Sequence, residues 1–165
     1  MARLASLVLA LSSPGLVLSA SCVDETGAAV DWWFALKYPL AASESCDGQC
    51  YSYMTSSDAK WQQSEKLVTD TDSIIGLQMA DIYAQKSGLS YVLYNDQWPD
   101  GSWTENYGHS KGTFAYDSEG GWFMQHSVPD FPNYVADGYL YGSSQVGGDR
   151  DDRGDRGGIG LWLPS

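Results

Sequence analysis

Positive charge is what this 165-residue chain lacks most, because no arginine and only five lysines lie between Cys22 and Gly142. The same region holds seventeen Asp and Glu residues, and the whole chain has a formal net charge of −12. Such a surface repels polyanions at neutral pH, since Lys and Arg supply most non-specific affinity for phosphates. Near pH 5 both histidines, His109 and His126, are expected to be cationic and some carboxylates neutral. The charge therefore indicates either an acidic working compartment or simply a soluble secreted protein.

Cysteine is also scarce, and the odd number of Cys22, Cys46 and Cys50 leaves at least one thiol unpaired. Cys46 and Cys50 flank three residues and are candidates for a disulfide that closes a small loop. Zinc binding is the alternative for this spacing, but the sequence has no second cysteine pair and no paired histidines behind it. We therefore predict no metal site and no cofactor.

Long hydrophobic runs are missing except at the start of the chain. Residues 1–20 contain one positive charge, Arg3, followed by an apolar stretch and small residues, with no acidic residue before Asp24. This pattern predicts a secretory signal peptide, cleaved near Ala20 or Ser21, with a short apolar core helix as the alternative. No other stretch is long enough to span a bilayer, so we expect no membrane insertion after cleavage.

The remaining length suits one domain, residues 21–142. Val30 to Tyr38 is apolar and aromatic, which predicts a strand buried on both faces. An N-capped helix is predicted from Ser73 to Ala84, and a strand from Leu89 to Asn95. Together these elements favour an α+β fold, a layered sheet of α/β type with helices against it.

Residues 143–165 differ in kind, with six glycines and seven alternating charges. They show no apolar periodicity, so we predict a disordered tail. The triplet Arg153-Gly154-Asp155 matches an adhesion motif, but in a run of D, R and G it arises readily by chance.

Both histidines fall in Tyr107 to Pro132, which reads YGHSKGTFAYDSEGGWFMQHSVPDFP. The arms Lys111–Asp117 and Trp122–Val128 predict a hairpin whose turn, residues 118–121, contains glycines that tolerate positive φ. His109 and Lys111 are two residues apart, so on a strand they share a face and can converge on one phosphate.

These motifs, GHSKG followed by W-F-x-x-HSVPDFP, resemble those of the deoxyribonuclease II family. Residues 29–39 look like that family's N-terminal segment, and residues 91–97 resemble its LLYNDQ strand. The resemblance covers about residues 22–142 and corresponds to the N-terminal half of the family's chains. It implies a phospholipase D-like half-domain, with a mixed sheet and flanking helices.

In the phospholipase D superfamily, which the family resembles, two H-x-K motifs meet at one active site, and this chain has one such motif. The resemblance implies that His109 and Lys111 are catalytic, with one histidine attacking phosphorus, a second protonating the leaving oxygen, and no metal needed. It also implies that His126 supports the site or binds phosphate, while Asn95 or Asp96 orients an imidazole. Asp117 departs from the pattern, since five residues rather than the usual four separate it from Lys111. The resemblance also implies that the family's counterpart of Cys22 forms a disulfide with a cysteine beyond the region of resemblance.

The expected function is that of an acid endonuclease, secreted or lysosomal, which cuts DNA to 3′-phosphate ends. Because the chain has one H-x-K motif, we expect either that a homodimer restores the second motif or that the chain is inactive. The alternative from another class is a secreted acidic binding module without catalysis.

Overall fold

The computed structural model describes residues 20–39, 44–46, 48–102, 106, 108–128, 130–141 and the backbone of 159–162. Two short strands, β1 (Cys22–Val23) and β2 (Ala29–Val30), form a small hairpin. A seven-stranded sheet has the order β5-β4-β3-β9-β8-β7-β6. Its strands are β3 (Trp33–Lys37), β4 (Cys50–Thr55), β5 (Gln62–Leu67), β6 (Ser90–Asn95), β7 (Lys111–Tyr116), β8 (Gly121–His126) and β9 (Ile159–Trp162).

The α+β composition is confirmed, the expectation of a mixed sheet is wrong for the described residues, and the phospholipase D-like half-domain stays a prediction. Every strand pair in this sheet is antiparallel, and one α-helix, α1 (Ile74–Tyr83), is present in the described ranges. Consecutive strands such as β4 and β5, or β7 and β8, are neighbours joined by short connections, which suffice for antiparallel pairing. No helix within those ranges has the length and apolar character needed to cross a membrane.

Helix α1 begins where the sequence predicted it. The Ser73 side chain accepts a hydrogen bond from the Gly76 N–H at 3.0 Å, which satisfies one of the free amides of the first turn. The helix connects β5 and β6, the two edges of the sheet. Helix α1 and the sheet share one core. The helix contributes Ile74, Ile75, Met79 and Ile82, and the sheet contributes Trp33, Ala35, Tyr51, Ala115, Trp122 and Met124.

Strand β3 is shorter and less buried than predicted from Val30–Tyr38. Trp33, Ala35 and Lys37 are buried, whereas Phe34 and Leu36 are partly exposed. The apolar run is divided by a bend at Asp31, and Val30 belongs to the separate hairpin of β1 and β2. Burial of both faces is therefore wrong, because the core with α1 covers only the face that carries Trp33 and Ala35.

The hairpin of β7 and β8 is confirmed, with Lys111 opposite His126 and Tyr116 opposite Gly121. Its turn differs from the expectation, since Gly121 lies in the extended strand. The Asp117 carboxylate instead accepts hydrogen bonds from the N–H groups of Glu119 at 2.8 Å and Gly120 at 3.0 Å. An aspartate that caps its own turn in this way stabilises it without requiring glycine at the turn.

Strand β9 departs from the predicted disorder of residues 143–165. Its backbone pairs with β3 on one side and β8 on the other, so that it completes the centre of the sheet. The short segment Ile159–Trp162 is apolar, and a strand between two unpaired neighbours satisfies the hydrogen bonds of both. Residues 142–158 and 163–165 lie outside the described part, so disorder there remains a prediction.

Candidate active site

The candidate site lies where β6 ends and β7 begins. Asp96, the residue after β6, contacts two side chains at once. One carboxylate oxygen, Oδ2, lies 2.5 Å from Nδ1 of His109, and the other, Oδ1, accepts a hydrogen bond of 2.5 Å from Nζ of Lys111. The histidine and the lysine predicted from the H-x-K motif are therefore brought together by one aspartate.

Strand register explains this meeting. Asn95 is opposite Lys111 in the antiparallel ladder of β6 and β7, so Asp96 emerges beside the residues that precede β7. The side chains of Lys111 and Asp96 are 2% and 7% exposed, whereas that of His109 is 78% exposed. The site is thus a buried ion pair with an accessible imidazole attached to it.

The two basic partners keep Asp96 ionised. Burial raises the pKa of the Asp96 carboxyl, but the hydrogen bonds from Lys111 and His109 and their positive charges outweigh burial, so the pKa lies below its ordinary value. An ionised carboxylate only accepts hydrogen bonds, so Nδ1 of His109 carries the proton in this contact. In the neutral imidazole the lone pair is then on Nε2, the nitrogen available to a substrate.

His126 is positioned differently from the sequence-based expectation. It is buried at the end of β8, where its Nδ1 accepts a hydrogen bond of 3.3 Å from the Val128 N–H, and its ring packs edge-on against Phe131. Burial, followed by the positive charge of Lys111, lowers the pKa of His126 to about 3. The expectation that both histidines are cationic near pH 5 is therefore wrong for His126, which stays neutral at that pH.

A small cavity adjoins His126 on the side of α1. Its volume is about 20 Å³, room for roughly one water molecule, and its lining includes Lys37, Ile75, His126 and Tyr141. Nε2 of His126 has no hydrogen-bond partner among the described residues. Lys37 is also buried, with Nζ donating to the carbonyls of Tyr38 at 3.1 Å and Gly48 at 3.0 Å.

Sequence reasoning gave Lys37 no role near the site. A lysine inside an otherwise apolar strand segment was the available signal, because a buried ammonium requires several acceptors around it. Its placement near the buried His126 follows from the sheet order, which no local pattern encodes.

Among the described residues, no hydrogen bond joins Asn95 or Asp117 to either histidine. Asn95 donates from Nδ2 to the Phe131 carbonyl at 2.5 Å and accepts from the Gln97 N–H at 2.8 Å, so it connects β6 to the segment after β8. Asp117 binds its own turn and the Ala20 N–H. Of the candidate orienting groups, Asp96 alone lies against an imidazole.

The predicted disulfide is present, with Cys46 and Cys50 bonded and their Cα atoms 5.8 Å apart. Since each sulfur is bonded to the other, neither is a thiolate ligand for zinc. Cys22 is a buried free thiol, and burial, with a further effect of the Asp31 charge, raises its pKa to about 11. Across the described ranges, no three His, Cys, Asp or Glu side chains are grouped as a metal ion would require.

An exposed histidine held by a buried carboxylate–lysine pair is an arrangement that can carry acid–base or nucleophilic chemistry. The family model described as Deoxyribonuclease II matches residues 21–148, and the chain belongs to the deoxyribonuclease II family. This assignment confirms the resemblance drawn from the two histidine motifs.

Individual relatives agree with this assignment. Human deoxyribonuclease-2-beta is 37% identical over 153 residues, which cover 86% of this chain and 42% of that protein. Rat deoxyribonuclease-2-alpha is 36% identical over 126 residues, covering 72% of this chain and 36% of the relative. Plancitoxin-1 of Acanthaster planci is 34% identical over 137 residues, covering 78% and 38%. The chain therefore spans about two fifths of the length of these relatives.

Proposed function

We propose that this chain carries one histidine–lysine half of an acid deoxyribonuclease site, in which His109 is the nucleophile for a DNA phosphodiester. The observation that carries the proposal is the contact of Asp96 with Nδ1 of His109, which leaves Nε2 of an exposed imidazole free to attack. An orienting acidic group behind a reactive histidine is the usual way to fix its tautomer and direction.

In the proposed reaction, Nε2 of His109 attacks phosphorus and forms an N–P bond while the bond from phosphorus to the 5′ oxygen breaks. The leaving oxygen takes a proton from a general acid. Water then attacks the phosphohistidine, the N–P bond breaks, and a 3′-phosphate end is released. No metal ion enters this scheme.

Lys111 acts in this proposal through Asp96. Because its ammonium is 2% exposed and bonded to the carboxylate, it holds Asp96 ionised and in place behind His109. This differs from the expectation that His109 and Lys111 converge on one phosphate. Direct contact with a phosphate requires the Lys111 side chain to leave its buried position.

The second histidine of the scheme is not supplied by His126, which is buried and neutral near pH 5. The general acid must come from elsewhere, and a second copy of the chain, pairing His109 with its equivalent across a two-fold axis, is the source that we propose. A chain that remains monomeric is then expected to be inactive. Secretion or delivery to lysosomes accords with the acidic surface and forms part of the same proposal.

The proposal is tested by measuring the rate at which the protein nicks supercoiled plasmid DNA at pH 5 in the presence of EDTA. We expect wild type and Ser110→Ala to nick the plasmid, and His109→Ala to lose at least 10²-fold in rate, because the nucleophile is removed. Ser110 is the matched control, since it lies between the two motif residues and is exposed.

Molar mass is measured on the same samples by light scattering. Nicking by a dimer, lost in His109→Ala, supports a shared site. No nicking by the wild type over a wide range of protein concentrations contradicts the activity of this chain. Nicking that survives His109→Ala contradicts the assigned nucleophile.

A further inference from the structure

The backbone nitrogen of Ala20 lies against a carboxylate that is distant in sequence. Its N–H donates to Oδ2 of Asp117 at 2.7 Å, and Ala20 is only 4% exposed. The distance is in the range of hydrogen bonds in which one partner carries a charge. The first described residue of the domain is thus bound to the turn between β7 and β8.

The residues that follow Ala20 are held by helix α1. The Gln78 side chain donates from Nε2 to the Ser21 carbonyl at 3.0 Å and accepts from the Val23 N–H at 2.9 Å. Cys22, between them, is buried. Ala20 to Val23 therefore has a fixed path along the protein, held by the side chains of two residues that are distant in sequence, Gln78 and Asp117.

The carboxylate of Asp117 is held in a position where it can bind a positive charge on the Ala20 nitrogen. Its Oδ1 accepts from the Glu119 and Gly120 N–H groups, which leaves Oδ2 for Ala20. These hydrogen bonds, that from Glu119 first and that from Ala20 second, hold the pKa of Asp117 below its ordinary value. A carboxylate fixed in this way is ionised at neutral and mildly acidic pH, where an α-amino group is also protonated.

We propose that Asp117 is the binding site for the α-ammonium group of Ala20, formed when the leader predicted at the N-terminus is removed by a signal peptidase at the Ser19–Ala20 bond. Hydrolysis adds one water molecule, leaves a carboxylate on Ser19, and gives Ala20 an amine that takes up a proton. The amide hydrogen bond to Oδ2 then becomes an ion pair between ammonium and carboxylate.

The geometry distinguishes this bond from its neighbours. Cleavage after Ala20 removes the residue that Asp117 binds, and cleavage after Ser21 also removes the carbonyl that Gln78 binds. The proposed bond has Ser19 one position and Val17 three positions before the cut, whereas the next bond has the larger Leu18 at the third position. The bond after Ser21 has Ser21 and Ser19 at these positions, so the contacts of Ala20 and Ser21, and not the residue pattern, select the proposed bond.

The proposal is tested first on the full chain secreted by eukaryotic cells. N-terminal sequencing and intact mass of the secreted protein are expected to show Ala20 as the first residue. A chain that begins at Ser21, at Cys22 or at Met1 overturns the proposal. This result does not depend on nuclease activity or on any substitution.

A second measurement tests the ion pair itself. Carbamylation of the α-amino group by cyanate is followed against pH for the folded secreted protein, the same protein in urea, Asp117→Asn and Asp100→Asn. Asp100 is the matched control, since it accepts a turn hydrogen bond from the Ser102 N–H at 2.9 Å. We expect the reaction midpoint of folded wild type and Asp100→Asn to lie about 0.5–1 pH unit above that of Asp117→Asn.

The urea-unfolded wild type provides a reference that needs no folded variant, and its midpoint is expected near the ordinary α-amino value of about 7.7–8.0. Equal midpoints in the folded and unfolded wild type overturn the ion pair. Equal midpoints in wild type and Asp117→Asn overturn the role of Asp117.

Discussion

Asp96 is the residue on which the candidate site depends, because it is the shared partner of His109 and Lys111. Asp96→Asn leaves a positive charge in the protein interior with no carboxylate beside it. We expect the free energy of unfolding in urea to fall by about 3–5 kcal/mol. Asp100→Asn, in an exposed turn, is the control and is expected to change it by less than about 0.5 kcal/mol.

A second substitution separates the charge effect from packing. Adding Lys111→Met to Asp96→Asn removes the stranded ammonium, so part of the lost stability is expected to return. If the double variant is less stable than Asp96→Asn alone, the buried charge is not the cause of the loss.

His126 is expected to weaken the fold in acid. Its pKa is about 3 in the folded protein, below the ordinary histidine value of 6.5, so between these pH values the unfolded chain binds a proton that the folded chain does not. Stability from this group is complete above pH 6.5 and is lost as the pH falls toward 3. The loss is about 2 kcal/mol at pH 5.

Urea unfolding at pH 7 and pH 5 measures this effect. His126→Asn keeps an acceptor for the Val128 N–H but cannot titrate, so its stability is expected to fall less than that of wild type between the two pH values. Gln125→Asn, on the exposed neighbouring position, is expected to keep the wild-type difference. A wild-type difference unchanged in His126→Asn contradicts the assignment to this residue.

At the scale of elements, helix α1 combines a favourable cap with a close contact at its first turn. A Cβ atom on Gly76 would lie 2.5 Å from the carbonyl oxygens of both Asp70 and Thr71. Replacement of a helical glycine by alanine normally stabilises a helix by about 1 kcal/mol. At this position backbone atoms block the added methyl group, so glycine is required by packing.

We therefore expect Gly76→Ala to lower the free energy of unfolding by about 1–3 kcal/mol despite its better helix propensity. The control is Ala80→Gly, at an exposed position in the same helix, for which propensity alone predicts a loss of about 1 kcal/mol. Thermal unfolding of both variants measures these changes. A Gly76→Ala protein more stable than wild type contradicts the close contact.

At the scale of the whole molecule, β9 joins two parts of the sheet. Strands β3, β4 and β5 lie on one side of it, and β8, β7 and β6 on the other. Leu161 is opposite Phe34 in β3 and Gln125 in β8. Leu161→Pro removes an N–H from this central position and is expected to cost about 1–3 kcal/mol.

Hydrogen exchange measures this prediction locally. In Leu161→Pro the amides of β3 and β8 are expected to exchange faster, while those between β6 and β7 keep their wild-type protection. Leu161→Thr keeps the N–H and a residue suited to strands, so it is the control. Unchanged exchange in β3 and β8 would show that β9 does not pair there in solution.

Much of the local structure was predictable from sequence. The helix from Ser73, the β6 strand, the hairpin carrying both motifs and the disulfide of Cys46 with Cys50 follow from caps, turn residues and spacing. Each depends on chemistry within about a dozen residues along the chain. The resemblance to the deoxyribonuclease II family followed from two linked motifs and is confirmed by the family match.

The sequence by itself determined which residues are candidates for the chemistry, whereas the tertiary structure decided what each of them faces. Side chains alternate between the two faces of a sheet, so a shift of one residue in register moves every side chain to the opposite face. The choice of Asp96 over Asn95, the burial of Lys111 and the neutral state of His126 all depend on such register. That register arises from pairing between distant strands, including β9, and no local pattern in the chain specifies it.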